Sequence, residues 1–80
     1  MLFEWSEKKN EEVQKKHGVS FEFLSVLIIQ DSVVIPAPNE SRKQSAFLVV
    51  VDDYPFVVPF EVRKDKYRLI TAWPDRRYKK

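Results

Sequence analysis

The chain has 80 residues, of which 44% are hydrophobic and 14% aromatic, with no cysteine and a formal net charge of +2. This length allows one domain over 1–80, and the apolar content excludes a disordered tail. The lack of cysteine excludes disulfides and thiolate zinc sites. The longest apolar run, at 46–51, is far too short to span a bilayer, so we expect a cytoplasmic protein without a membrane partner.

The charges are distributed unevenly along the chain. Residues 1–62 carry six Lys or Arg against ten Asp or Glu, whereas residues 63–80 carry eight against two. A basic cluster of this kind raises the local positive potential and favours polyanions such as RNA or an acidic protein segment. A solvated basic tail that only aids solubility is the competing interpretation.

Two helices are predicted in the first thirty residues, after a short strand at 2–5. Ser6 is a good N-cap for a first helix over 7–16, and Gly18 suits the left-handed position that follows its end. One face of this helix is expected to lie on the core, and it carries Asn10, Val13 and His17.

The second helix is predicted over 21–29, with Ser20 as its N-cap. It is apolar enough to be largely buried, and its core face carries Phe21, Leu24 and Ile28. Its second half, 26–29, is equally compatible with a strand by propensity, because three of the four residues are β-branched.

The rest of the chain has the alternation and turn residues of a sheet. Strands are predicted at 33–35, 45–51, 56–63 and 67–73, with a loop at 36–39, a hairpin connection at 52–55 and a tight turn at 64–66. Pro59 within a strand suggests an edge strand or a bulge. We therefore predict an α+β domain in which two N-terminal helices pack on one face of a small, mainly antiparallel sheet of four to five strands.

The N-terminal third carries a dense set of distinctive residues. Phe-Glu-Trp-Ser at 3–6, Lys9 with Asn10, and Lys-His-Gly-Val-Ser-Phe-Glu at 16–22 resemble the opening of BrnT toxins. Farther on, Glu-Ser-Arg at 40–42 and Tyr-Arg-Leu-Ile-Thr-Ala at 67–72 are similar to two later segments of that family. The resemblance covers nearly the whole chain and is most specific near the N-terminus.

This resemblance implies a RelE-like fold and an endoribonuclease toxin that cleaves RNA without a metal ion or other cofactor and thereby inhibits growth. It also implies a ribbon-helix-helix antitoxin as partner, with operator DNA bound only through the antitoxin complex. The chain departs from the family at Trp73, where an arginine of the active surface is usual, and at 74–80, which replace a longer C-terminal helix. The alternatives are a module that binds RNA or protein without cutting, and an orphan structural protein.

Metal-free RNA cleavage needs a base for the 2′-hydroxyl proton, cations for the phosphate and an acid for the leaving oxygen. If residues 65–66 form the loop between the last two strands, Arg63 lies opposite Arg68, a like-charge pair that a bound phosphate would relieve. Alternation places Glu61 on the same face as Arg63, as a candidate base.

The C-terminal segment supplies the remaining candidates. Tyr78 is a candidate acid or base, and the residues expected to hold RNA are Lys66, Arg76, Arg77 and, by stacking, Trp73. Structural roles compete: Glu61 and Arg63 as an ordinary solvent face, Tyr78 as a frayed end, and Trp73 as a cover for the core. For His17 a structural role is preferred, with its imidazolium near the negative end of the helix dipole. No metal site is expected.

Overall fold

The computed structural model describes residues 2–36 and 44–79. These ranges form two α-helices, six strands and one 3₁₀ helix: β1 (Leu2–Glu4), α1 (Glu7–His17), α2 (Phe21–Gln30), β2 (Val33–Pro36), β3 (Ser45–Val51), β4 (Tyr54–Arg63), β5 (Lys66–Leu69), β6 (Trp73–Pro74) and the 3₁₀ helix Arg76–Tyr78. The strand order is β1-β5-β4-β3-β2, with β6 also paired to β4. The architecture is therefore α+β, with a mixed sheet.

Local capping determines where the two helices begin and end. The Ser20 hydroxyl accepts a hydrogen bond from the backbone N–H of Phe23 at 3.1 Å, and the Ser6 hydroxyl accepts one from Lys9 at 3.4 Å. Gly18 adopts the left-handed conformation, with φ of 73°, and its N–H donates to the Gln14 carbonyl. Both predicted helices are confirmed to within one residue, and the helical interpretation of residues 26–29 is the correct one.

Asn10 joins the two helices. Its side-chain Oδ1 accepts a hydrogen bond from the backbone N–H of Phe21 at 2.8 Å, and its Nδ2 donates to Glu22 Oε1 at 2.9 Å. Asn10 is 2% exposed, so its amide satisfies a free N–H at the start of α2 in a place that water does not reach. The hydrogen bond from Asn10 Nδ2 lowers the pKa of the Glu22 carboxyl, with smaller contributions from the backbone of Glu22 and from the side chain of Ser20.

The sheet is mainly antiparallel, as predicted, but it has six strands in the described ranges rather than four to five, and their arrangement differs. β1 pairs with β5 in parallel, so the sheet is mixed, although every other strand pair is antiparallel. The single strand predicted at 67–73 is divided into β5 and β6 by residues 70–72, which belong to no strand. The predicted loop at 36–39 lies outside the described residues except for Pro36, which ends β2, and the Glu-Ser-Arg segment at 40–42 lies outside them altogether.

Pro59 lies in β4, which has neighbours on both sides, so the edge strand suggested for it is wrong. The Pro59 carbonyl accepts a hydrogen bond from Ile70 N–H at 2.9 Å, on the side of β5 and β6. The nitrogen and carbonyl oxygen of one strand residue point to the same side, so the missing N–H of Pro59 also faces residues 70–72. An internal proline is tolerated because the pairing is interrupted there.

The two faces of the sheet are covered differently. The helices lie on the face that carries Phe47 and Phe60, whose rings stack at 4.1 Å, with Tyr67 edge-on to both at 5.3 Å. On the other face, hereafter the outer face, Trp73 and Tyr78 of the C-terminal segment pack over a small cluster around buried Ala46 and Val57. Within the described ranges, no helix has the length and apolar content to cross a membrane.

Candidate nucleic-acid interface

The β4–β5 hairpin has a different register from the one predicted. Lys64 and Asp65 form a two-residue turn, with φ of 48° and 67°, so Arg63 lies opposite Lys66 and Glu61 lies opposite Arg68. The predicted Arg63–Arg68 pair is therefore wrong. A turn with both residues at positive φ matches the twist of the two strands, although Lys-Asp lacks the glycine that usually indicates such a turn.

The candidate residues of this hairpin share the outer face of the sheet. Val62 and Tyr67 point to the helix side, so the alternate residues point away from the helices. The prediction that Glu61 and Arg63 share a face is confirmed. We call Arg63, Lys66 and Arg68 the hairpin patch.

A like-charge pair is present, but it is formed by Arg63 and Lys66. Both residues are exposed, and neither has an ion pair or hydrogen bond with a carboxylate among residues 2–36 and 44–79. Arg68 is the diagonal neighbour of Arg63, a position about 7–8 Å away in an antiparallel pair. Three cationic side chains are thus within reach of one phosphate group or of two successive ones.

Arg68 differs from the other two cations because it has a carboxylate partner. Its Nη1 lies 3.4 Å from Glu4 Oε2, and each of the two side chains is 32% exposed. The parallel pairing of β1 with β5 places Glu4 directly beside Arg68. The charge of Arg68 is therefore partly neutralised, and Arg63 and Lys66 contribute most of the positive potential of the hairpin patch.

Tyr78 lies away from the hairpin patch. It packs near Val57, and Val57 is six residues from Arg63 along β4, a separation of about 20 Å in a strand. The structure therefore does not bring Tyr78 together with Glu61 and Arg63. Tyr78 cannot serve as the acid or base of a catalytic group that contains them. Trp73 lies opposite Val57 and covers the small outer cluster, which agrees with its structural alternative.

Asp75 is a residue that the sequence analysis missed. It is 6% exposed, and its carboxylate accepts hydrogen bonds from Trp73 Nε1 at 3.2 Å and from Arg77 Nε and Nη2 at 2.9 and 2.6 Å. The Arg77 guanidinium, helped by Trp73, holds the pKa of this carboxyl far below its usual range. Asp75 also caps the 3₁₀ helix by accepting from Arg77 N–H. The sequence signal that could have indicated this contact is an Asp placed two residues before an Arg, at positions 75 and 77.

Arg76 and Arg77, the other cations predicted to hold RNA, differ in their contacts. The Asp75 carboxylate neutralises Arg77, so Arg77 is not a free cation for RNA. Arg76 is exposed and has no ion pair among the described residues. Of the two arginines, only Arg76 is therefore without a carboxylate partner among the described residues, and it lies at the opposite end of β4 from the hairpin patch.

His17 has the structural role that was preferred for it. Its ring meets Phe56 edge-on, with 6.3 Å between centroids. Burial, together with the neighbouring Lys16 ammonium, lowers the pKa of His17 below its ordinary value. This shift acts against the imidazolium that was expected at the helix end.

Comparisons of the chain with protein-family models, with curated proteins and with solved structures give no match. Among residues 2–36 and 44–79, no three His, Asp or Glu side chains are grouped so as to hold a metal ion. The described site thus consists of the hairpin patch and two carboxylates beside Arg68: Glu4, which forms an ion pair with it, and Glu61, which lies opposite it on β4. Chemically, this arrangement can hold a phosphate group and can accept a proton beside it.

Proposed function

We propose that this chain binds RNA through the hairpin patch. The observation that carries the proposal is the like-charge pair of Arg63 and Lys66, which closes the β4–β5 turn without a carboxylate partner among the described residues. Opposing like charges destabilise a strand pair by a few tenths of a kcal/mol or more. A phosphate between them would turn this repulsion into two charge-assisted hydrogen-bonding interactions. The RelE-like fold implied by the resemblance to BrnT toxins belongs to this proposal.

Cleavage of the bound RNA, as in an endoribonuclease toxin, is the second part of the proposal. Glu61 lies directly opposite Arg68 and shares its face with Arg63, so a carboxylate lies among the cations that hold the phosphate. Glu61 would take the 2′-hydroxyl proton as that oxygen attacks the phosphorus, and the guanidinium groups would stabilise the added negative charge. The leaving 5′-oxygen would take its proton from water, since Tyr78 lies far away.

The binding step is tested with a fluorescently labelled single-stranded RNA and anisotropy titrations at several salt concentrations. Replacing Arg63 and Lys66 together by Gln should weaken binding and lower the log–log salt slope by about 1.4, since each phosphate contact on a single strand contributes about 0.7. Lys15→Gln is the matched control, because Lys15 is an exposed cation on α1 away from the patch. Absence of binding by the unaltered chain, or an equal loss in the control, would reject the proposal.

The cleavage step is tested on the same RNA by denaturing electrophoresis. Glu61→Gln should abolish product formation while RNA binding is kept or strengthened, and Glu11→Gln on α1 serves as the control for loss of one carboxylate. Inducing the chain alone in cells should halt growth, and Arg68→Ala should relieve that arrest. Intact RNA after hours at saturating protein would leave the non-cleaving binding module as the function.

A ribbon-helix-helix antitoxin, which would bring operator DNA to the complex, is proposed as the protein partner on the strength of the resemblance. The outward face of α2 supports a protein partner of some kind, because Phe23, Val26 and Ile29 are 47%, 51% and 71% exposed there. The test is a neighbouring reading frame for such a protein and its co-expression with this chain. Co-purification and restored growth are expected, and failure of both would remove the antitoxin from the proposal.

A further inference from the structure

A groove runs between α1 and the segment that follows β5. One cavity in it is lined by Lys8, Lys9, Glu12 and Arg68, and an adjoining cavity is lined by Lys9, Glu12, Lys16 and Trp73. The two cavities meet at Lys9 and Glu12, which line both of them, and together we call them the α1 groove. It begins at Arg68 of the hairpin patch and ends at Trp73.

The α1 groove exists because β1 is short. β1 pairs with β5 only from Leu2–Lys66 to Glu4–Arg68, and then the chain turns away into α1. Beyond Arg68, no described strand pairs with the outer edge of residues 69–72. Residues of α1 and of 69–73 line the same two cavities, so open space lies between the helix and this edge.

The charges of α1 are sorted with respect to the groove. At 100° per residue, Lys9, Glu12 and Lys16 fall on one flank of the helix, whereas Glu7 and Glu11 fall on the other. Lys8 also lines the groove. The groove side of α1 thus presents three lysines and one carboxylate, and Lys9 Nζ lies 3.4 Å from Glu12 Oε1. Its surface is positive, and Arg68 extends that surface to the hairpin patch.

Trp73 lies at the far end of the groove, with its indole on the outer face of the sheet beside that end. Its side chain is half-buried, and its Nε1–H donates to the buried Asp75 carboxylate at 3.2 Å, which holds the indole in one orientation. An indole that is fixed at its nitrogen and only half-buried can stack on an unpaired base. Lysines along a groove with an aromatic ring at its end are a typical arrangement for single-stranded nucleic acids.

We propose that the α1 groove is the second half of a single-stranded RNA site, with Lys8, Lys9 and Lys16 on the backbone and Trp73 on a base. This inference rests on the proposed function, since the strand would enter the groove from the hairpin patch. Residues 66 to 73 span about 23 Å of extended chain, a length that suits on the order of 4 to 8 nucleotides. Double-stranded RNA would be disfavoured, because its bases are stacked on each other and cannot reach Trp73.

The test compares RNAs of ten and of four nucleotides, because the hairpin patch alone can hold the shorter one. Replacing Lys8 and Lys16 together by Gln should weaken binding of the longer RNA about tenfold and binding of the shorter RNA less than about threefold. Lys15→Gln, one residue from Lys16 but outside the groove, should leave both affinities unchanged. A Trp73→Phe variant should lose the tryptophan quenching that the longer RNA causes, and the remaining Trp5 packs against Phe21.

A second variant should improve binding, so a folding defect cannot explain its effect. Glu12→Gln removes the carboxylate from the groove and should tighten binding of the longer RNA by about threefold or more, whereas Glu11→Gln on the outer flank should not. If neither RNA binds, the proposed function and this site both fail. If the longer RNA depends on Arg63 and Lys66 but is indifferent to Lys8, Lys16 and Glu12, the groove alone is rejected.

Discussion

Replacing Lys66 by Glu should make the protein more stable and at the same time weaken its binding to RNA. In the folded chain, Lys66 lies opposite Arg63 at the closing position of the β4–β5 turn, and both side chains are exposed. The change turns a repulsive cross-strand pair into an attractive one. Removal of the repulsion between the two cations should therefore raise the stability of the free protein.

The size of the gain follows from the geometry of the pair. Opposite charges in directly facing strand positions contribute roughly 0.2–1 kcal/mol, and like charges cost a similar amount. For an exposed pair we expect the lower part of that range both for the repulsion that is lost and for the attraction that is gained. The free energy of unfolding should therefore rise by about 0.5–1 kcal/mol. In a domain of this size, that gain corresponds to a Tm increase of about 3–6 °C.

Thermal unfolding followed by circular dichroism measures this gain, and Lys66→Gln is the matched control. The Gln variant removes only the repulsion, so it should show about half of the increase, and ~1 M salt should reduce both effects by screening. Labelled RNA should bind the Glu variant at least about tenfold more weakly than the unaltered chain. A lower Tm for Lys66→Glu at low salt, or unchanged RNA affinity, would refute the reasoning.

Three further predictions concern the fold. Asn10→Ala should lower the free energy of unfolding by about 2–3 kcal/mol in urea titrations, because the buried N–H of Phe21 loses its acceptor, and a loss under 0.5 kcal/mol would contradict this role. Stability should fall on acidification, since the pKa values of His17 and Asp75 are both lower in the folded chain and the unfolded chain therefore binds more protons. The loss should begin below about pH 6.5 for His17 and increase below about pH 4 for Asp75, and His17→Gln should remove the first part in urea titrations at stepped pH. Asp65→Gly should raise the free energy of unfolding by roughly 0.5 kcal/mol or more, and the Tm with it, because Asp65 has a φ of 67° and glycine occupies that conformation without strain. A decrease in Tm would argue against the turn geometry.

Features that depend on neighbouring residues could be predicted from the sequence. Ser6, Gly18 and Ser20 are sufficient to place the helices, because a cap acts within one turn of the backbone. Strand β3 was predicted over 45–51 with the limits that the structure has. Of the candidate site, alternation alone gave the shared face of Glu61 and Arg63, since strand residues alternate whatever their partners are.

The tertiary structure decided which side chains meet. The Glu4–Arg68 ion pair joins residues 64 positions apart and depends on β1 lying parallel to β5, which no local pattern indicates. The turn lies one residue earlier than predicted, so Arg63 faces Lys66 and not Arg68. The prediction missed this register because Lys-Asp carries no glycine that would mark the turn in the sequence. Short-range preferences set each element, whereas partners depend on packing between distant segments, and that packing separated Tyr78 from the hairpin patch.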